Sequence, residues 1–421
     1  MSLRAQVERM AYGPHAVARC DGKVVFVRAA APGDDLEVVV DEDHGSYAYA
    51  SIERVLKASP LRRDPPCVYL PRCGGCPWQH LEYAAQLRAK QDNIVDHMRR
   101  IGGMHDAPVL PIVPSPHEFG YRSRLSMRTE ARRIGFYATA SHDLIEVEHC
   151  LLGSDALNAA IADVAQLVRQ LASEVRRVEL AQQTVPEGDG VSLYAEVEGS
   201  FAPDDEAVVE SALVPGARLQ GIVLQGKGWR RAWGNDRIQI APQDELPLTA
   251  HAGAFTQVNP SANRLLVEHV LALGAFARKD RVLDLYAGVG NLSFPIARRV
   301  AHVTAVEQDR FAALAAQDNA RDLQIDNFEV VNASTRKALS QWRGAVDVVV
   351  VDPPRSGITE ITHRLLEIAP HRLIYVSCNP ATLARDLKRL AARYRVEAIQ
   401  PIDLFPHTYH VEVVVRAVLT C

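Results

Sequence analysis

From about residue 280 onward, short apolar runs alternate with stretches of helical period, the rhythm of a parallel sheet with crossover helices. Runs at 281–286, 302–306, 328–331, 346–351 and 372–377 read as strands, with helices in the gaps. Two further runs, 394–401 and 410–418, are separated by only a short loop and predict an antiparallel hairpin that closes the sheet. Residues 1–60 pattern differently. Short strands at 24–28, 36–40 and 48–55 are divided by Gly and Pro turns, with Pro32-Gly33-Asp34 between the first two, as in a small oligonucleotide-binding type of barrel. Between these regions, 83–101 is helical by period and ends at Gly102-Gly103. Strands are expected at 121–130 and 133–138, and a helix over 155–175 capped by Ser154. The fold class is α/β: a barrel over 1–60, a central domain over 61–250, and a Rossmann-like seven-stranded domain over 251–421.

A length of 421 residues supports two to three domains. With 48% apolar and 23% charged residues the composition is that of a globular protein, and no run approaches the roughly eighteen apolar residues of a membrane span. The first residues, MSLRAQVERM, lack the apolar core of a signal peptide, so a cytoplasmic location is expected. Structural disulfides are unexpected there, and seven cysteines need another explanation. A net charge of −4 does not mark a nucleic-acid binder, but an RNA contact needs only a basic face. Candidates are Arg122, Arg124, Arg128, Arg132 and Arg133, set against the single acid Glu130, and the stretch Lys227-Gly-Trp-Arg-Arg-Ala-Trp. Each is either a solvated strand face or a phosphate- and base-gripping surface.

The chemistry concentrates at strand ends. Ile374-Tyr-Val-Ser-Cys378-Asn-Pro380 delivers a thiol into an Asn-Pro turn at a strand's carboxyl end, facing the crevice where α/β proteins bind ligands. Most free cysteines are small core hydrophobes. The neighbouring tip, Asp352-Pro353-Pro354-Arg355, argues instead for a planar, electron-poor ring held beside a nucleophilic sulfur. The first strand of the sheet ends in Asp284-Leu-Tyr-Ala-Gly288-Val-Gly290-Asn291. A dinucleotide fingerprint needs a third glycine where this chain has Ser293. Glu307, nineteen residues after Gly288, suits both ribose hydroxyls, so S-adenosyl-L-methionine is favoured over NAD. Asp/Asn-Pro-Pro tips occur in many enzymes that methylate amino groups, which need no nucleophile from the protein and would leave Cys378 without a purpose. Carbon 5 of uracil does need one: a thiolate adding to carbon 6 makes carbon 5 electron-rich, and a base then removes its proton. Glu412, in Pro406-His-Thr-Tyr-His-Val-Glu412, is the candidate base, with His410 the alternative.

These motifs resemble the RNA (uracil-5-)-methyltransferase family, in the bacterial 23S rRNA branch that carries an N-terminal TRAM domain. The resemblance covers essentially the whole chain. It rests on residues 13–27 with Pro32-Gly33-Asp34, on 67–76, on Phe255-Thr-Gln257-Val-Asn259, and on 284–291, 352–357, 377–386 and 407–412. It implies Cys378 as nucleophile and Glu412 as base, with Gln257, Tyr286, Asn291, Glu307, Asn332 and Asp352 around adenosylmethionine. Ala287, where relatives often have cysteine, lies outside this chemistry. The spacing Cys67-x5-Cys73-Gly-Gly-Cys76, with Cys150 far downstream, leaves zinc and iron–sulfur both open. The resemblance implies a 4Fe–4S cluster on Cys67, Cys73, Cys76 and Cys150, with Cys20 and Cys421 as bystanders. It implies an RNA partner flipped into the site, with 23S rRNA favoured over the T-loop of tRNA because of the barrel. An iron–sulfur RNA-binding protein with a vestigial methyltransferase fold is the competing class, opposed by the intact set Cys378, Glu412, Asp352 and Glu307. The protein is expected to act as a monomer, without a membrane or an obligate protein partner.

Overall fold

The computed structural model describes residues 2–20, 22–184 and 190–420; Cys421 lies outside them. Strands β1 (Ser2–Met10), β2 (His15–Cys20), β3 (Lys23–Arg28), β4 (Asp35–Asp43) and β5 (Tyr47–Lys57) close a barrel in the order β1-β2-β3-β5-β4. Its interior takes small and branched residues, among them Ala5, Ala16, Ala18, Val27 and Val38. The Pro-Gly-Asp turn has a structural task. The buried Asp34 carboxylate accepts from Ala31 N and Ser59 N (2.6 and 2.9 Å) and pairs with Arg62, tying the barrel to the chain that leaves it.

Helix α1 (Tyr83–Arg100) is followed by β6 (Arg124–Glu130), β7 (Arg133–Tyr137), β8 (Leu144–Glu146), α2 (Asp155–Gln170), β9 (Glu174–Gln182), β10 (Val191–Glu198), α3 (Asp205–Ser211), β11 (Leu219–Gly226) and β12 (Trp229–Gly234). These strands form a second sheet, ordered β12-β11-β10-β9-β6-β7-β8. Ser154 caps α2 as its sequence predicts, accepting from Leu157 N. The helix stops at Gln170, short of the expected 175, because Glu174 and Val175 pair with β10. Asp205 accepts from Ser173 N and helps close that corner. Leu157, Ile161, Val164 and Val168 bury the helix's apolar face on the sheet. Helix α1 belongs elsewhere: Ile94 and Met98 join the core beneath the C-terminal sheet.

After a small hairpin, β13 (Arg237–Ile240) and β14 (Leu248–His251), the chain runs α4 (Pro260–Gly274), β15 (Arg281–Leu285), α5 (Ser293–Ala297), β16 (His302–Glu307), α6 (Arg310–Asp322), β17 (Phe328–Asn332), α7 (Thr335–Gln341), β18 (Val348–Val351), α8 (Thr362–Ile368), β19 (Arg372–Ser377), α9 (Pro380–Leu390), β20 (Tyr394–Ile402) and β21 (Glu412–Leu419). The sheet order is β17-β16-β15-β18-β19-β21-β20, with β21 antiparallel to both neighbours. This is the α/β methyltransferase arrangement with a closing hairpin. Val348 to Val351 are fully buried, as a strand covered by helices on both faces requires. The strand order reverses between β15 and β18, which opens the crevice at their carboxyl ends.

Candidate active site

The register of β19 against β21 assembles the reactive pair. Val376 faces Val414 and Ser377 faces Val413, so the next step sets Cys378 opposite Glu412. The parallel pairing of β18 with β19 carries Asp352 to the same edge, one residue past Val351. Beyond Cys378, Asn379 caps α9 by accepting from Ala381 N and donates to Arg355 O at 3.3 Å, fixing one strand tip to the other. A cavity of about 750 Å3 opens here. Its walls include Cys378 and Glu412 together with Gln257, Tyr286, Asn291, Glu307 and Asp352.

Each of these cofactor candidates has a local cause. Glu307 ends β16 with both oxygens oriented by backbone amides, from Gly288 at 2.8 Å and Asp309 at 2.6 Å. Tyr286 has φ +65°, a left-handed conformation that costs a non-glycine residue about 1–3 kcal/mol and clusters at functional sites. Gly290 has φ +97°, and a Cβ there would lie 2.2 Å from the Phe294 ring. Asn291 exchanges two hydrogen bonds with Asn263, at 2.8 and 3.0 Å. Asn263 was not legible as a site residue; an asparagine on the buried face of α4 was its one trace in the sequence. Asn332 is not brought to this cavity: its amide donates to Glu307 O and Gln308 O at the sheet's edge.

The electrostatics are those of a buried acidic site. Burial pushes the Cys378 thiol up to about 11, reinforced by Glu412 and Asp352 and opposed by Arg355. Burial likewise raises Asp352 to about 7 and Glu412 well above its usual range. His410 is moved the other way, down to about 4, by burial and by Arg355, whose guanidinium lies 3.2 Å from its ring.

Behind the cavity, burial pushes Asp284 up to about 7 although the Ser293 hydroxyl donates to it. A carboxyl raised in the folded state contributes stability fully below about pH 4, and that contribution is lost as pH rises through about 7. Asp284→Asn is neutral and keeps an acceptor for Ser293. Its stability relative to the parent protein should therefore grow between pH 5 and 8, by at most about 3 kcal/mol. Urea denaturation at the two pH values measures this, and a constant difference would contradict the assignment.

The cysteines form a second locus. Cys67, Cys73, Cys76 and Cys150 all line a cavity of about 210 Å3 that abuts the central core at Leu125, Phe136 and Val147. Cys150 is held by Asn158, which accepts from its N–H at 2.7 Å and donates to its carbonyl. Burial raises the thiols of Cys73, Cys76 and Cys150. Among the described residues, no group of three or more His, Cys, Asp and Glu side chains is arranged to hold a metal ion.

The expected basic faces are internal only in part: Arg124 is buried, whereas Arg128, Arg132, Arg133, Lys227 and Arg231 are exposed. Arg124 is bonded to Thr256, Ala254 O and Glu179, and Arg133 pairs with Glu130 and Glu146. Trp229 and Trp233 pack on Phe201, with Arg231 over the same ring at 4.1 Å. Strand alternation turns such residues inward as readily as outward. Among the described residues no helix is long and apolar enough to cross a membrane.

Comparison with known proteins identifies the family. The tRNA (uracil-5-)-methyltransferase family profile matches residues 233–418, and the TRAM domain profile matches residues 2–52. The 23S rRNA (uracil(1939)-C(5))-methyltransferase RlmD of Pseudomonas putida is 33% identical, over 97% of this chain and 92% of that protein. Its counterpart of the same name in Acidithiobacillus ferrooxidans is 36% identical, over 94% and 92%. A crystal structure of the Pyrococcus abyssi tRNA (uracil-54, C5)-methyltransferase with S-adenosyl-L-homocysteine matches with a TM-score of 0.77 at 26% identity, over 98% of this chain and 99% of that one. Coverage so complete includes the barrel, so the barrel by itself does not separate rRNA from tRNA enzymes.

Proposed function

The chain belongs to the RNA (uracil-5-)-methyltransferase family, with an N-terminal TRAM domain and adenosylmethionine as methyl donor, and from that premise we propose that it methylates carbon 5 of one uridine in 23S rRNA, the equivalent of the uracil named for its bacterial relatives. The preference for rRNA over a tRNA T-loop rests on the 23S rRNA relatives, 33% and 36% identical over more than nine-tenths of this chain. The observation that carries the chemistry is the register of β19 and β21, which sets Cys378 opposite Glu412 at the wall of the cavity that holds the cofactor candidates.

When bound, adenosylmethionine supplies an electrophilic methyl group. Glu307, Asn291, Tyr286, Gln257 and Asp352 would hold it, and a cavity of about 750 Å3 is in the range of small-molecule sites. Cys378 gives up its proton to solvent and its thiolate bonds to carbon 6 of the flipped uracil, carbon 5 takes the methyl group, and Glu412 removes the carbon-5 proton. Loss of that proton reforms the double bond and expels the thiolate. Burial keeps the thiol protonated in the empty site, which protects it until substrate arrives. Its raised pKa makes Glu412 a strong base once ionised, whereas His410, held down beside Arg355, is a poor one. We expect 5-methyluridine mapping in cells lacking the gene to lose one site in 23S rRNA. Loss confined to the tRNA T-loop, or no loss, would contradict the assignment.

We also propose that Cys67, Cys73, Cys76 and Cys150 hold a 4Fe–4S cluster. The four thiols line one cavity, and four thiolates are the ligand set of a 4Fe–4S cluster. Arg122 lines the same cavity, and its Nε is buried without a hydrogen-bond partner, as a donor awaiting an anionic group would be. Anaerobically purified protein should carry about four irons per chain, one for each thiolate. Stoichiometric zinc without iron would end the assignment. The same reading keeps three units, with helix α1 assigned to the C-terminal one, and has the protein act as a cytoplasmic monomer on RNA.

A further inference from the structure

The barrel touches the nucleophile. In the loop between β1 and β2, the Tyr12 hydroxyl donates to the carbonyl of Cys378 at 3.2 Å, across 366 positions of sequence. The loop is itself pinned, because the buried Trp78 indole donates to Gly13 O at 3.0 Å. Trp78 N also donates to His407 O at 3.0 Å, so one residue anchors both the barrel loop and the segment that leads to Glu412. The Tyr12 ring is held edge-on by His97 and Tyr409, with centroids at 5.4 and 5.6 Å. Tyr409 in turn packs on His410 at 4.3 Å. Burial and the nearby Cys378 raise the Tyr12 hydroxyl far above its ordinary range, with Arg355 opposing, so it remains a donor at working pH.

We propose that Tyr12 is a positioning residue for the methyl transfer: the N-terminal barrel fixes the peptide of Cys378 and thereby aims its sulfur at carbon 6 of the uracil. A barrel that only tethered RNA would have no reason to hydrogen-bond the catalytic turn. Rotation of that peptide would swing the Cys378 side chain, and reacting atoms displaced by about 1 Å can cost on the order of a hundredfold in rate. The proposal rests on Cys378 being the nucleophile.

The test uses full-length holoenzyme, adenosylmethionine and a 23S rRNA fragment with 5-fluorouridine at the target. Sulfur adds to carbon 6 and the methyl group moves to carbon 5, but fluorine cannot leave as a cation, so the thiolate is not expelled and the adduct persists. Tyr12→Phe retains the ring and removes the donor. Adduct formation should slow about tenfold, the scale of one lost hydrogen bond. RNA affinity, compared between Cys378→Ala and the Tyr12→Phe/Cys378→Ala double variant, should stay within about twofold, as should adenosylmethionine affinity. An unchanged adduct rate would overturn the proposal, as would a fall in RNA affinity equal to the fall in rate. Failure of the parent protein to form any adduct would remove the covalent reading itself, and this proposal with it.

Discussion

Cys378→Ala is expected to lose methylation by more than about 10^4-fold, the scale on which removal of a catalytic nucleophile acts. The reason lies in the substrate. Carbon 5 of uracil has too little electron density to take a methyl group unaided, and among the described residues no other thiol lines the cavity where the cofactor candidates gather. Adenosylmethionine affinity should be retained, because Glu307, Asn291 and Tyr286 are held by β15, β16 and α4 independently of the Cys378 turn. Isothermal titration of the ligand and incorporation of labelled methyl into 23S rRNA separate the two properties. Residual turnover near that of the parent protein would exclude sulfur from the bond-making step.

Glu412→Gln removes the base and leaves the nucleophile. The variant should bond RNA and transfer the methyl group, then stall before the carbon-5 proton is lost, so that a protein–RNA species stable on denaturing gels accumulates while free product falls by about 10^2- to 10^4-fold, the usual contribution of a general base. The substitution is well tolerated in structural terms. Glu412 is 4% exposed and its carboxyl is already held toward the neutral form, so an uncharged amide of the same shape meets little new cost. Free product at the parent rate would assign the proton to another group, and His410→Gln would be the next variant to measure.

Much of this site could be read from strand ends. The apolar runs at 346–351 and 372–377 end in chemistry because a parallel sheet buries its strands and exposes only their tips, and the hairpin of β20 and β21 carries Glu412 back to that edge. What was illegible depends on contacts distant in sequence or on which face a residue takes. The first two barrel strands and β9 to β14 stand outside the strands expected from the sequence, although Leu3, Ala5 and Val7 of β1 and Ile238 and Ile240 of β13 alternate with polar residues. Arg124 reads as part of a basic surface and is buried, because its partners Ala254 O, Thr256 and Glu179 lie far from it in the sequence. Asn332 ends β17, one residue past the expected strand, and its amide closes the sheet's edge in place of the cavity. Tyr12 carries no local mark at all; only the folded chain sets it against Cys378.

The most direct measurement is tandem mass spectrometry of Glu412→Gln after reaction with adenosylmethionine and its target RNA, followed by nuclease and protease digestion. The expected product is a peptide that contains Cys378 and carries a methylated uridine on its sulfur. A stalled complex linked through any other residue, or turnover with no protein-bound nucleotide at all, would contradict it.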